Sequence, residues 1–246
     1  MIQIFGKTEK GPVRQTNEDT FRIARLSPES HLAIVCDGMG GENGGEVASS
    51  MAADIIEKAV KNGFRQGMPL DEIKSLLVSA VEEANSAVYS RSQADKGLSG
   101  MGTTVVAAVI SSGLACIASA GDSRAYLISG GEIRQVTRDH SVVQIYYEQG
   151  KITEDEIMTH PERHYITRAL GVDWYIETDI NELALKSGDK LLICSDGLSG
   201  FLRKEEILAC IAVSASQFAP ESLIFRALDR RSTDNITVVL ADVVSA

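Results

Sequence analysis

Apolar residues along this chain fall into two kinds of run. The first is short, continuous and closed by an acid and glycine: Leu32-Ala33-Ile34-Val35-Cys36 leads into Asp37-Gly38-Met39-Gly40-Gly41, and Leu191-Leu192-Ile193-Cys194 leads into Ser195-Asp196-Gly197. Each reads as a buried strand that delivers a carboxylate to the end of a sheet and then turns on glycine. The second kind recurs every three or four residues. One such segment runs from about Gly45 to Lys61 with Val47, Met51, Ile55 and Ala59 on one stripe. Another runs from Pro69 to Arg91 with Ile73, Leu77, Ala80, Val81, Ala84 and Val88 on one face. Both spacings predict helices with one buried side, and Pro69 suits a first turn.

Further strands are predicted at Met1 to Lys7, Thr103 to Ser111, Leu114 to Ala120, Arg124 to Ser129 and Glu132 to Thr137. The connections Ser112-Gly113, Gly121-Asp122 and Gly130-Gly131 are short, which favours antiparallel hairpins. From Asp139 to Trp174 the strand pattern lapses into a polar excursion, with a helix at Ser141 to Gln149 and a second opening at Thr153, where Glu156 completes a capping-box pattern. Strands resume at Ile176 to Leu185 and Lys190 to Cys194, helices follow at Lys204 to Ala212 and Pro220 to Asp229, and Asn235 to Val244 closes as a strand. Two sheets packed face to face with helices outside accommodate this α+β inventory.

With 246 residues, 44% of them hydrophobic and 24% charged, one domain spanning 1–246 with a sizeable core is expected. No apolar stretch approaches the roughly 18 residues that cross a bilayer, and the first residues lack the pattern of an export signal, so a cytoplasmic location is expected. The net charge of −10, with no clustered Lys or Arg, argues against a protein that grips a nucleic-acid backbone. Cys36, Cys116, Cys194 and Cys210 lie singly in apolar runs and are read as reduced core thiols.

Acids stand beside strand ends or turns at five places: Glu18-Asp19, Asp37, Asp122, Asp196 and Asp234. Clustered carboxylates must protonate, lose stability or share a cation. The oxygen-only donor set selects Mg²⁺ or Mn²⁺ over Zn²⁺ or Cu²⁺. Two such ions can hold and acidify a water and present it to phosphorus without a protein nucleophile.

Six motifs make this reading specific: Arg14-Gln15-Thr16-Asn17-Glu18-Asp19, Asp37-Gly38-Met39-Gly40-Gly41, Gly100-Met101-Gly102-Thr103-Thr104, Gly121-Asp122-Ser123-Arg124, Ser195-Asp196-Gly197 and Asp234-Asn235-Ile236-Thr237. In this order, from Gly11 to Val243, they resemble the protein phosphatase 2C family, in particular its compact bacterial branch. The resemblance implies an α-β-β-α sandwich and hydrolysis of phosphothreonine and phosphoserine by a metal-bridged water. It implies that Asp37 bridges two Mn²⁺ or Mg²⁺ ions, that the Gly38 carbonyl binds one, and that Asp196 and Asp234 bind the other. Asp122, with Asp196, matches a third-ion site. Glu18 and Asp19 match outer groups acting through water, and Arg14 matches the arginine that meets substrate phosphate, for which a guanidinium fork is well shaped.

The resemblance further implies a monomer, phosphoprotein substrates and a bacterial serine/threonine kinase as counterpart, with residues 142–174 as a flap beside the metal site. One departure stands out. Met39 occupies the position where many eukaryotic relatives carry a histidine proposed to protonate the leaving group, and a thioether donates no proton. His140 is read as a cap of the following helix and Arg124 as locked within its own Asp-Ser-Arg turn. Competing readings are a catalytically weak phosphoprotein-binding domain and a hydrolase of small phosphoesters. A dinucleotide-binding turn fails because Asn43 stands where a third glycine belongs, and a serine-hydrolase arrangement lacks its base.

Overall fold

Strand β3 (Ser30–Met39) sets the position of the site through its two faces. Leu32, Ile34 and Cys36 pack beneath helices, while Ala33 and Val35 pack against a second sheet. Alternation then carries Asp37 onto the inter-sheet face at the end of the core. The computed structural model describes residues 1–40 and 44–244. Gly41 of the glycine loop and Asn43, weighed against a dinucleotide-binding turn, lie outside the described residues.

Five strands form one sheet in the order β1 (Ile2–Glu9), β11 (Ile236–Val243), β10 (Lys190–Cys194), β7 (Arg124–Ser129) and β8 (Glu132–Gln135). The other runs β2 (Asp19–Ser27), β3, β5 (Val105–Ser111), β6 (Leu114–Ala120) and β9 (Asp179–Ala184), with the two-residue β4 (Gly102–Thr103) paired to the end of β3. All pairings are antiparallel. Helices α1 (Gly44–Gly63) and α2 (Leu70–Ala94) cover the second sheet. Helices α6 (Lys204–Val213) and α7 (Ala219–Asp229) cover the first. Between the sheets lies a third core, including Val106, Ile117, Leu191, Ile193 and Val239. The result is the expected four-layer α-β-β-α sandwich. Because both faces of the central strands are buried, those strands read as continuous apolar runs.

Several expectations are corrected. Gly121-Asp122 is not a hairpin, since β6 and β7 belong to different sheets and the chain crosses between them there. Gly121 takes φ +109°, a conformation that glycine adopts without strain. In α1 the fully buried stripe is Ala48, Ala52 and Ile56, and the predicted Val47, Met51, Ile55 and Ala59 are half-buried beside it. The alanines let α1 approach the sheet closely, while the larger residues fill its flank. Strand β2 carries no run long or apolar enough to announce itself, being a sheet-edge strand with Arg22 and Arg25 in its span. Cys36, Cys116 and Cys194 are buried free thiols and Cys210 is a half-buried one.

The excursion after β8 comprises α3 (Val142–Glu148), α4 (Glu154–Ile157) and irregular chain. Ser141 caps α3, accepting the Gln144 N–H at 3.3 Å. Thr153 caps α4 in the anticipated capping box, its N–H donating to Glu156 Oε2 at 2.7 Å.

Candidate active site

The acids gather at one end of the inter-sheet core, delivered by both sheets. Asp37 lies within β3, not beyond it, and stands opposite Asp19 of β2. Its backbone is clamped: Asp37 N–H donates to Thr104 Oγ1 at 3.0 Å, and its carbonyl accepts Thr104 N–H at 2.8 Å and Thr103 Oγ1–H at 2.9 Å. Gly38 follows, pressed so closely against the start of α1 that a Cβ would fall 2.1 Å from the Gly45 carbonyl oxygen.

Asp196 opens a one-turn helix, α5 (Asp196–Ser199), rather than a simple glycine turn. A Cβ on Gly197 would sit 1.9 Å from the Asn235 carbonyl oxygen, so glycine there lets α5 pack onto the Asp234-Asn235 loop. Asn235 secures that loop, its Nδ2 donating to the carbonyls of Lys10 at 2.8 Å and Thr16 at 3.0 Å while its Oδ1 accepts Glu18 N–H at 2.8 Å. Ser195 joins the sheets by donating its hydroxyl to Asp19 Oδ2 at 2.7 Å and accepting Thr237 N–H at 2.9 Å.

A cavity of about 470 Å³ is lined by Arg14, Glu18, Asp37, Gly38, Asp122, Asp196 and Asp234, with Met39, Thr104, His164 and Ile166 among its other walls. Asp19 lies behind it, buried, with Oδ1 lacking any protein partner. Thus all the anticipated residues come together, Asp19 as a backing group. Arg14 Nη2 donates to Asp234 Oδ2 at 2.8 Å, and Nη1 lies 4.0 Å from Glu18 Oε2.

Burial is the largest influence on these acids, and neighbouring charge adds to it. Both effects, the charge coming from Asp19, Asp196, Asp122 and Asp234, push the Asp37 carboxyl well above the usual carboxylate range. Asp122 moves the same way through burial and the charges of Asp196 and Asp139. Asp196 rises through burial and Asp234, opposed by His164 and by a hydrogen bond with Asp37. Asp19 is pushed up to about 7, chiefly by burial, against the hydrogen bond from Ser195.

Among the described residues, no three His, Cys, Asp or Glu side chains form a ready-made cation cluster. The acids ring the cavity instead of closing on one point. The donor set nonetheless fits hard divalent cations: every ligating atom is oxygen, the carboxyls repel one another, and Asp19 Oδ1 is a buried acceptor without a donor.

Two sequence assignments change. Arg124 is structural, as expected, but its partner is distant: Nε donates to Asp139 Oδ1 at 3.0 Å and Nη2 to Oδ2 at 2.7 Å, a bidentate pair the intervening strands create. His140 is not a helix cap. Its Nδ1 accepts Gly121 N–H at 3.0 Å, its own N–H donates to the Gly121 carbonyl at 2.9 Å, and Nε2 lies 3.1 Å from Asp179 Oδ2. His164, which the sequence does not single out, lines the acid cavity. Its neighbours Arg163 and Tyr165 carry no pattern that would have marked it.

The family model for protein phosphatase 2C matches residues 12–235. The serine/threonine phosphatase Stp of Listeria monocytogenes serotype 4b is 35% identical over 239 residues, covering 96% of this chain and 94% of the relative. The crystal structure of serine/threonine phosphatase Stp1 from Staphylococcus aureus superposes with a TM-score of 0.93 at 33% identity, covering 100% of this chain and 96% of that one. A crystal structure of the catalytic domain of the serine/threonine protein phosphatase PstP, in complex with two manganese ions, superposes at 0.86 with 32% identity and 99% of each chain covered. The chain belongs to the protein phosphatase 2C family. It is a protein-serine/threonine phosphatase of the bacterial kind.

Proposed function

We propose that this chain dephosphorylates phosphothreonine and phosphoserine in proteins, using two Mn²⁺ or Mg²⁺ ions held in the acid cavity. The carrying observation is the convergence of Asp37, Asp122, Asp196 and Asp234 from two sheets onto one cavity. Asp37, shared, and the Gly38 carbonyl would hold one ion, and Asp196 and Asp234 the other. Asp122 with Asp196 would serve a weaker third ion, and Glu18 and Asp19 would act from behind through water. When bound, the cations acidify a water and offset charge on the phosphate oxygens. The two manganese ions of the PstP structure support a two-ion centre.

The chain's own residues supply the rest. Arg14, half-exposed at the cavity mouth and already paired with Asp234, offers its remaining N–H groups to phosphate oxygens. Met39 lines the cavity but donates no proton. His164, a wall of the same cavity, would protonate a departing serine or threonine alkoxide.

We read residues 1–246 as one catalytic unit, with 142–174 as its flap, acting as a monomer in the bacterial cytoplasm opposite a serine/threonine kinase. Among the described residues no helix is long and apolar enough to cross a membrane. The test is the initial rate on a phosphothreonine peptide with Mn²⁺, Mg²⁺ or chelator, for wild type and Asp196→Asn. Turnover that needs metal and collapses in a folded mutant is expected. Turnover that survives chelation would overturn the proposal.

A further inference from the structure

A second groove of about 470 Å³ opens beside the acid cavity, and the two share Met39, His164 and Ile166 as walls. Its far side carries Val172 and Tyr175, 50% and 58% exposed, and its near side Tyr165, 61% exposed. Apolar side chains this open on an otherwise acidic chain stand out where they border a reaction site.

The backbone between the two cavities is half-paired at Ile166, which bridges Ser141. Val142 N–H donates to the Tyr165 carbonyl at 2.8 Å, and Thr167 N–H donates to the His140 carbonyl at 2.8 Å. Successive amides of an extended segment point to opposite sides, so the N–H and C=O of Ile166 point away from this partner strand. Among the described residues neither group has a hydrogen-bond partner. The groove's walls are fixed in place. Arg168 ties one to Asp179 and Glu177 at 2.7 Å each, and Asn85 of α2 ties the other, accepting Gly171 N–H at 2.8 Å and donating to the Asp173 carbonyl at 3.0 Å.

We propose that this groove takes the phosphoprotein substrate itself, as an extended segment beside the phosphorylated residue, paired with the Ile166 backbone and seating an apolar side chain against Tyr175 and Val172. The inference rests on the phosphatase reading above. The occupant follows from continuity, because a chain whose phosphate lies among Arg14, Asp37 and Asp196 must leave the cavity past one of its walls, and the Ile166 wall offers an unpaired donor and acceptor. Strand addition of this kind draws affinity from main-chain bonds and selectivity from side-chain pockets. Tyrosine supplies such contact area at low entropic cost.

The test compares Mn²⁺-loaded wild type, Tyr175→Ala and Tyr165→Ala on three substrates. These are p-nitrophenyl phosphate, a phosphothreonine peptide with leucine on either side of the phosphoresidue, and the same peptide with glycine there. In wild type, kcat/KM is expected to favour the leucine peptide by about tenfold, equivalent to about 1.4 kcal/mol. Tyr175→Ala is expected to bring that ratio within about twofold, with p-nitrophenyl phosphate turnover unchanged. N-methylation of the amides flanking the phosphothreonine is expected to lower kcat/KM on wild type. No leucine preference, or a preference untouched by both tyrosine variants and by N-methylation, overturns the groove while leaving the phosphatase reading intact. Absence of p-nitrophenyl phosphate turnover in wild type overturns the phosphatase reading and the groove with it.

Discussion

Asp19 and Asp37 stand directly opposite each other across the β2–β3 ladder. Cross-strand partners share a face, so this pairing sets two carboxyls side by side at the end of the inter-sheet core, where like charges are destabilising. Ser195, from the other sheet, satisfies only Asp19 Oδ2, and Oδ1 is left without a partner. The fold therefore concentrates negative charge that its own side chains do not neutralise.

One consequence is an unusual pH dependence in the metal-free protein. Asp19 is raised from 3.8 to about 7, and Asp37 and Asp122 are likewise held well above the usual carboxylate range by burial and neighbouring charge, so the native state retains protons that the unfolded chain has released. The stability these acids contribute is then full below about pH 4, near the unfolded carboxyl pKa, and is lost as pH rises through 7. His31 and His140, held low chiefly by burial, act in the opposite sense but only below about 6.5. Thermal melts in chelator should therefore show the midpoint falling between pH 6.5 and 8, and Mn²⁺ should flatten that slope. A metal-free midpoint that rises over this range would contradict the charge cluster.

Removing one charge should separate stability from activity. Asp37→Asn is expected to raise the metal-free melting midpoint at pH 8, abolish the stabilisation by Mn²⁺ and lower kcat about 100-fold or more. Calorimetric titration of Mn²⁺ alongside melts checks all three, and unchanged Mn²⁺ binding would remove Asp37 from the site.

Arg14 bonds Asp234 at 2.8 Å from a half-exposed position. Arg14→Ala should reduce kcat/KM for a phosphothreonine peptide about 10- to 100-fold, as expected for loss of charged hydrogen bonds to phosphate. Arg14→Lys should recover only part of this, because it keeps the charge and loses the fork. Inorganic phosphate, as an inhibitor, should weaken in parallel, and an unchanged inhibition constant would confine Arg14 to its ion pair with Asp234.

His140 holds the Gly121-Asp122 turn through Nδ1 and faces Asp179 through Nε2. Asparagine can reproduce the first contact and glutamine the second. His140→Asn should keep the Gly121 amide protected in hydrogen exchange and keep Mn²⁺ affinity near wild type. His140→Gln should leave a buried amide unpaired, at a cost of about 1–3 kcal/mol, and weaken Mn²⁺ binding. Equal behaviour of the two variants would show that the turn does not depend on this acceptor.

If His164 donates a proton to the leaving group, its loss must matter most when that group is a poor one. His164→Gln is expected to slow phosphothreonine hydrolysis about 100-fold while changing p-nitrophenyl phosphate hydrolysis severalfold at most. An equal loss on both substrates would assign His164 to binding instead.

Much of this architecture is legible locally. The buried stripe of α2, from Ile73 through Val88, and the capping box at Thr153 appear as their spacing predicts, because neither depends on distant residues. Strand β2 escapes because it is an edge strand with Arg22 and Arg25 in its span. Gly121-Asp122 reads as a hairpin because a two-residue glycine connection looks alike in sequence whether the chain returns to its own sheet or crosses to the next. His140 reads as a cap because it adjoins one, Ser141, and its real partner, Gly121, lies 19 residues away.

What the sequence alone determines is parity. With a side-chain period of two, Asp37 must share a face with Ala33 and Val35, and Ser195 must follow the inter-sheet register of Leu191 and Ile193. The six ordered motifs, by resemblance, also point to the chemistry. What only the tertiary structure decides is that Asp37 and Asp122 meet Asp196 and Asp234, which arrive from the opposite sheet and from far along the chain. That meeting is set by the packing of one sheet against the other across the shared core of Val35, Ile117, Ile193 and Val239. Inter-sheet distance and alignment arise from side-chain volumes summed over both sheets, a quantity that no local window of sequence contains.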